Sequence, residues 1–214
     1  NNAAAVRYRK SPAQIIESAQ RLSESGVHLI DLTMGEDPAV FQAVDQGFEP
    51  LLETIRTLKQ QTDLPLMISA GVLPQAVLDK LGPAGASWYA CYQETHNRAL
   101  YQKLRPGQDY DIRINSKRKA KERGLLIEEG LLLGVGECAA DIAASIGAMR
   151  ALRADQLRVM SFVPQPGTPM AHLPCPDPSK ELLVIALLRL VFPGSLIPAS
   201  LDVGGQAGLQ QKLA

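Results

Sequence analysis

Three segments of this sequence carry an apolar run directly into acidic residues, a pattern in which backbone groups and carboxylates can meet one polar ligand. The first is Asp31-Leu-Thr-Met-Gly-Glu-Asp-Pro38. Gly35 lets a backbone approach a ligand closely, and the carbonyl and N–H groups beyond it can bind polar ligand groups. The same letters also describe a plain strand-to-loop turn with solvated acids. The second is Tyr92-Gln-Glu-Thr95, where Glu94 suits an amine, a solvated position or a helix N-cap. The third is Gly130-Leu-Leu-Leu-Gly-Val-Gly-Glu137. It has neither the lysine of a phosphate loop nor the GxGxxG order of a dinucleotide turn. Its small residues suit a flat aromatic ligand lying over Gly134, or simply a strand flanked by turn glycines.

A fourth set is dispersed. Arg158 opens an apolar run, and Ser200 and Asp202 stand two apart, which puts them on one face of a strand. With Asp31 they form an amino-acid clamp on paper: arginine takes a carboxylate bidentately, and the acids take ammonium groups. The competing reading is a structural ion pair of Arg158 with an aspartate. His28, His96 and His172 share no motif, and Cys91, Cys138 and Cys175 have neither metal-ligand nor disulfide spacing.

Positioning such residues takes a regular scaffold. Candidate strands are 27–33, 66–69, 87–92, 131–135, 158–163 and 197–202, several of them apolar without alternation, as in strands covered on both faces. Helical periodicity lies between them. One helix follows Ser11-Pro12 and stops at Gly26, a second covers about 49–62, a third about 112–123, and the last about 179–191. The last is apolar along Leu182–Leu190, which predicts deep burial. Alternation of strand and helix predicts a parallel sheet with right-handed crossovers. Asp31, Glu94, Glu137, Arg158 and Asp202 fall in or at the ends of strands. Charges there are costly in a doubly wound sheet with two apolar faces, whereas a barrel interior that forms a ligand cavity accepts them. The expectation is therefore a single α/β domain, a (β/α)8 TIM-type barrel, with the proline-rich stretch 164–178 as a loop on its active face.

Composition excludes several classes. Over 214 residues, 22 basic and 22 acidic side chains balance, and no basic run points to nucleic acid or a membrane surface. No apolar run reaches the length of a membrane span and no signal-peptide pattern opens the chain, so a cytoplasmic protein is expected.

Taken together, the segments resemble the radical S-adenosylmethionine (SAM) superfamily, in the branch of biotin synthase, the HydE-type hydrogenase maturases, tyrosine lyase and methylornithine synthase. Met34-Gly35-Glu36 looks like the segment whose backbone meets the amino group of SAM. Gly130-x-Leu132-x-Gly134-x-x-Glu137 is similar to the GxIxGxxE segment beside the adenine. Gln93-Glu94-Thr95, Leu104-Arg-Pro106 and Arg113 resemble the branch pattern in which Glu94 and Arg113 hold the methionine end of SAM. The finer resemblance is to the methylornithine synthase family. It rests on 27–38, 92–107, 130–137, Arg158-Val-Met-Ser-Phe-Val-Pro-Gln-Pro-Gly-Thr-Pro169 and Leu196-Ile-Pro-Ala-Ser-Leu-Asp202.

That resemblance implies an isomerase of pyrrolysine biosynthesis that converts L-lysine to 3-methylornithine. It implies SAM and a 4Fe–4S cluster as cofactors, with a reductant such as a flavodoxin or ferredoxin. Asp31, Arg158, Ser200 and Asp202 would hold the amino acid. The superfamily's CxxxCxxC cluster motif is absent from this sequence. The resemblance places it just before Asn1, and the chain is expected to be a barrel incomplete at both ends. The alternatives are another radical SAM enzyme of the same branch, or a cluster-less barrel that binds an amino acid or nucleoside.

Overall fold

The computed structural model describes Val6 and residues 8–43, 47–199 and 205–213. The elements, in chain order, are α1 (Pro12–Glu24), β1 (Ile30–Thr33), α2 (Pro38–Phe41), α3 (Glu49–Thr62), β2 (Leu66–Ser69), α4 (Gln75–Ala84) and β3 (Trp88–Ala90). They continue with α5 (Arg98–Leu104), α6 (Tyr110–Glu122), β4 (Leu126–Leu133), α7 (Ala139–Leu152), β5 (Gln156–Ser161), α8 (Pro178–Val191) and α9 (Gly205–Leu213). The chain divides into two compact units.

The first unit comprises Tyr8–Cys91 and Asp111–Ile127. Its strands lie parallel in the order β1, β2, β3, with Ile30 beside Leu66 and Met67 beside Trp88. Leu66, Met67 and Ile68 are all buried, the unbroken apolar run of a strand covered on both faces. α1 and α2 begin where the sequence supplies a cap. Ser11 Oγ accepts from the Gln14 N–H while the Gln14 side chain accepts from the Ser11 N–H, with Pro12 at the first helical position. α3 and α4 turn Leu52, Ile55, Leu58, Leu78 and Leu81 inward.

The second unit comprises Tyr92–Tyr110 and Glu128–Ala214 among its described residues. Here β4 and β5 are parallel, in register from Glu128 beside Gln156 to Leu133 beside Ser161. Leu131, Leu133, Leu157 and Val159 pack with Met149 of α7 and with Val184 and Leu188 of α8.

Four outcomes differ from the sequence reading, and one expectation lies outside the described residues. First, β4 begins at Leu126, five residues before the expected start, because the acids Glu128 and Glu129 are buried strand residues and not a boundary. Second, 197–199 form no strand; only Leu196 makes a bridge, to Gln156. Third, the rest of that segment, with Ser200 and Asp202, lies outside the described residues. Fourth, α8 is not deeply buried. Val184 and Leu188, four apart, face β5, whereas Leu183 and Leu190 on the opposite face are 61% and 80% exposed. Fifth, α2, α4, α5, α7 and α9 were not anticipated; in α7 small and apolar residues surround the helix, so no stripe marks it. The stretch 164–177 contains neither helix nor strand, as expected for a loop. No helix among the described residues is long and apolar enough to cross a membrane.

Candidate functional site

In the first unit the chemistry gathers at the loops after β1 and β2. Glu36 reaches from one to the other: its Oε1 accepts from the Val72 N–H at 3.0 Å and lies 3.5 Å from Nη1 of Arg113, a buried residue of α6. Gly71 makes room for it. At φ +74° Gly71 has a conformation that favours glycine, and a β-carbon there would collide with the Glu36 side chain. Glu36 Oε2 makes no hydrogen bond among the described residues, and the side chain is a third exposed. It can therefore accept an ammonium group. Gly35, at φ +60°, has open space where a β-carbon would sit. Asp31 is exposed on β1 and accepts from Thr33 Oγ1 at 2.9 Å. Met34 is half-buried, and its N–H donates to the Ser69 carbonyl.

In the second unit the segment after β3 is fixed through backbone. The Glu94 N–H donates to the Gly130 carbonyl and the Leu132 N–H donates back to the Glu94 carbonyl. Glu94 adopts a left-handed conformation, φ 67°, away from any helix end. A non-glycine residue held there carries strain of about 1–3 kcal/mol, a cost concentrated at functional positions. Its carboxylate pairs with Arg105 at 2.7 Å. The resemblance has Glu94 and Arg113 hold the methionine end of SAM. Within each unit the structure pairs Glu94 with Arg105 and Arg113 with Glu36.

Glu137 is engaged by its own loop and by α8. Its two oxygens accept from the N–H groups of Gly134 and Val135, both at 2.9 Å, and the carboxylate is paired with Lys180 of α8. It shapes the loop, in which Gly134 is required because a β-carbon would stand 2.8 Å from Pro176. Burial pushes the Glu137 carboxyl up, but Lys180 and the loop N–H groups together outweigh it, and the net shift is downward. A carboxylate with a lowered folded pKa stabilises fully above its unfolded value of about 4.3, and that contribution is lost as pH falls through the folded value. Protection of the Gly134 and Val135 amides from hydrogen exchange should therefore drop as pH falls below about 4. In Glu137→Gln, protection at neutral pH should be lower and this acid step absent.

Arg158, in β5, is the most constrained of the anticipated residues. Its Nε donates to Glu128 Oε1 at 2.8 Å and lies 3.1 Å from Tyr92 Oη. Neither Nη carries a hydrogen bond among the described residues, so one edge of the guanidinium is available to a planar anion. Burial opposes the charge on Arg158, and Glu128 and Tyr92 more than offset it, leaving its pKa raised. Burial and Glu128 raise that of Tyr92, which is a neutral phenol. Sequence reasoning missed Glu128, Tyr92, Arg105 and Lys180. Tyr92 and Arg105 stand inside quoted motifs, and the pair Glu128-Glu129 beside an apolar run was the available signal.

Within each unit the donors suit SAM in chemistry: the first offers the Glu36 carboxylate and the Arg113 guanidinium, and the second offers Glu94, Arg105 and the small-residue loop at Gly134, which suits a flat base. They do not fit an iron–sulfur cluster. Among the described residues Cys91 is buried, Cys138 and Cys175 are exposed, and no three His, Cys, Asp or Glu side chains could hold a metal.

No family model matches the chain. It is 44% identical over 210 residues to the 3-methylornithine synthase of Methanosarcina acetivorans, covering 97% of the chain and 58% of that protein. It is 30% identical to the HydE subunit of the [FeFe] hydrogenase maturase of Thermotoga maritima, over 92% of the chain and 55% of the relative. Among solved structures, a crystal structure of methylornithine synthase superposes with a TM-score of 0.90 at 40% identity, covering 98% of this chain and 61% of that one. The HydG maturase from Carboxydothermus hydrogenoformans gives 0.79 at 22% identity, with 99% and 51% covered, and so speaks for the fold alone. The chain thus spans less than two thirds of the length of these relatives. With the parallel strands and outer helices already described, the likeness in sequence and fold shows a TIM-type α/β architecture and places this chain in the radical SAM superfamily, in its methylornithine synthase branch.

Proposed function

We propose that the protein to which this chain belongs is a lysine mutase, converting L-lysine to 3-methylornithine, and that Arg158 binds the substrate carboxylate. The observation that carries the reading is the Arg158 guanidinium, anchored through Nε and open at both Nη groups. Likeness to proteins named 3-methylornithine synthase supports the product. In this reading Asp31, Ser200 and Asp202 divide the two ammonium groups; the last two lie outside the described residues. For SAM the first unit offers Met34, Gly35, Glu36 and Arg113, and the second offers Glu94, Arg105 and the Gly134 loop that Glu137 shapes. SAM, together with a 4Fe–4S cluster, would supply the hydrogen-abstraction chemistry. The chain's own residues orient the amino acid and need no general base for that step. L-lysine and an electron-donating protein such as a flavodoxin or ferredoxin are the proposed partners, and the cytoplasm the proposed location.

The test is anaerobic: full-length protein with its cluster restored, SAM, a reductant and isotopically labelled lysine, followed by mass spectrometry. A labelled product isomeric with lysine is expected. Consumption of a different amino acid with lysine untouched would replace the substrate, and no consumption despite bound SAM and an intact cluster would remove the mutase reading.

A further inference from the structure

We infer that Glu128, acting with Tyr92, is the positioning residue that aims Arg158 at the substrate carboxylate. The inference rests on the substrate reading above and adds a residue that binds nothing itself. Glu128 is fully buried on β4, and Tyr92, Gln156 and Arg158 point polar groups at its carboxylate. Oε2 accepts the Tyr92 hydroxyl at 2.5 Å; Oε1 accepts Arg158 Nε at 2.8 Å and Gln156 Nε2 at 2.7 Å.

The triangle closes because Arg158 Nε also lies 3.1 Å from Tyr92 Oη, so the hydroxyl accepts from arginine while donating to Glu128. A guanidinium is rigid and planar. Fixing the direction of Nε–H therefore fixes the plane and heading of both Nη groups. The backbone cooperates. Gly130 sits beside Arg158 in the β4–β5 register, and a β-carbon there would stand 2.9 Å from Cγ of Tyr92 and 3.0 Å from the end of Met160. Glycine is what allows the Tyr92 ring to lie across the strand and reach Glu128.

Glu128 also competes with an incoming carboxylate for the positive charge of Arg158. Its value is thus orientation, and removing it should loosen the substrate more than it weakens binding. A substrate held in several poses gives abortive SAM cleavage: 5′-deoxyadenosine forms without product.

The experiment compares wild type, Glu128→Gln and Tyr92→Phe in the full-length, cluster-restored protein. The first readout, taken without reductant, is affinity for lysine against 1,5-diaminopentane, which lacks the carboxylate. The second is product formed per 5′-deoxyadenosine. Wild type should prefer lysine about a hundred-fold, on the scale of one charge-paired contact. Glu128→Gln should keep lysine affinity within about five-fold while product per 5′-deoxyadenosine falls at least about ten-fold, since a misplacement near 1 Å is enough for losses of that order. Tyr92→Phe retains the Glu128–Arg158 charge pair and should fold even if Glu128→Gln does not; about a five-fold fall is expected in it. Wild type that binds both ligands equally overturns the substrate reading and this inference with it. A normal lysine preference with unchanged coupling in Tyr92→Phe, and in Glu128→Gln where it folds, overturns the role of Glu128 alone.

Discussion

Arg158→Ala should abolish lysine turnover, with kcat/KM down a hundred-fold or more, while SAM affinity stays near wild type. Removing one partner of a buried charge pair costs about 3–5 kcal/mol, which as lost substrate binding is two to three orders of magnitude. The same substitution also strands Glu128, fully buried and left with Tyr92 and Gln156 as neutral donors. Activity and stability should therefore fall together, and the two must be separated. Arg158→Met combined with Glu128→Gln removes both charges at once, and such neutral replacements of buried pairs are frequently harmless to stability. The double variant should regain most of the lost unfolding midpoint in urea and none of the turnover. Arg158→Lys keeps the charge but loses the planar fork; it should recover part of the lysine affinity and little of the coupling. If the double variant recovers turnover, Arg158 has only a structural role.

The sequence made the arginine legible and left its supports hidden, for a physical reason. Arg158 precedes an apolar run, and an isolated cation there demands an explanation. The competing expectation, an ion pair with an aspartate, was close to what the structure holds: the partner is a carboxylate, but Glu128 of the neighbouring strand. Glu128 and Glu129 look like solvated loop residues in sequence because charges in strands are costly. Both are buried because each found donors on its own side of the strand. Glu129 Oε1 takes the N–H groups of Gln93 and Gly130, at 2.8 and 2.9 Å. That demand for partners is a property of the neighbouring strand and loop, which no local window contains. The opposite error occurred in α8, where an apolar run suggested burial although only the face of Glu181, Val184 and Leu188, with Ile185 beside it, is turned to β5 and its core. Elements with local cues came out well: α3 and β2 match their expected bounds, and α1 follows its cap. The resemblance singled out Glu36, Glu94 and Arg113 without their partners, such as Arg105 for Glu94, since pairing depends on side-chain direction across loops.

Arg113→Ala should lower SAM affinity and 5′-deoxyadenosine formation at least about ten-fold, whether or not lysine is present, as loss of a charge-assisted contact implies. Arg113 is 5% exposed and lies against Glu36, whose Oε1 is shared with the Val72 N–H. Removing the guanidinium leaves Glu36 one backbone donor, and the carboxylate can then turn away from the loop it bridges. A second route reaches the same carboxylate without touching a charge. Gly71→Ala places a β-carbon on the Glu36 side chain at a backbone φ of +74°, so the loop shifts or Glu36 is displaced. If Glu36 and Arg113 serve SAM, both variants should lose SAM affinity, measured by titration of the cluster-restored protein without reductant. Lysine affinity in the absence of SAM should change little in either. Arg113→Lys should sit between, retaining charge without the fork. Unchanged 5′-deoxyadenosine formation in Arg113→Ala would detach this cluster of residues from SAM. It would leave Glu36 as a clamp between the loops after β1 and β2, and the cofactor's carboxylate would then fall to Arg105, which already pairs with Glu94.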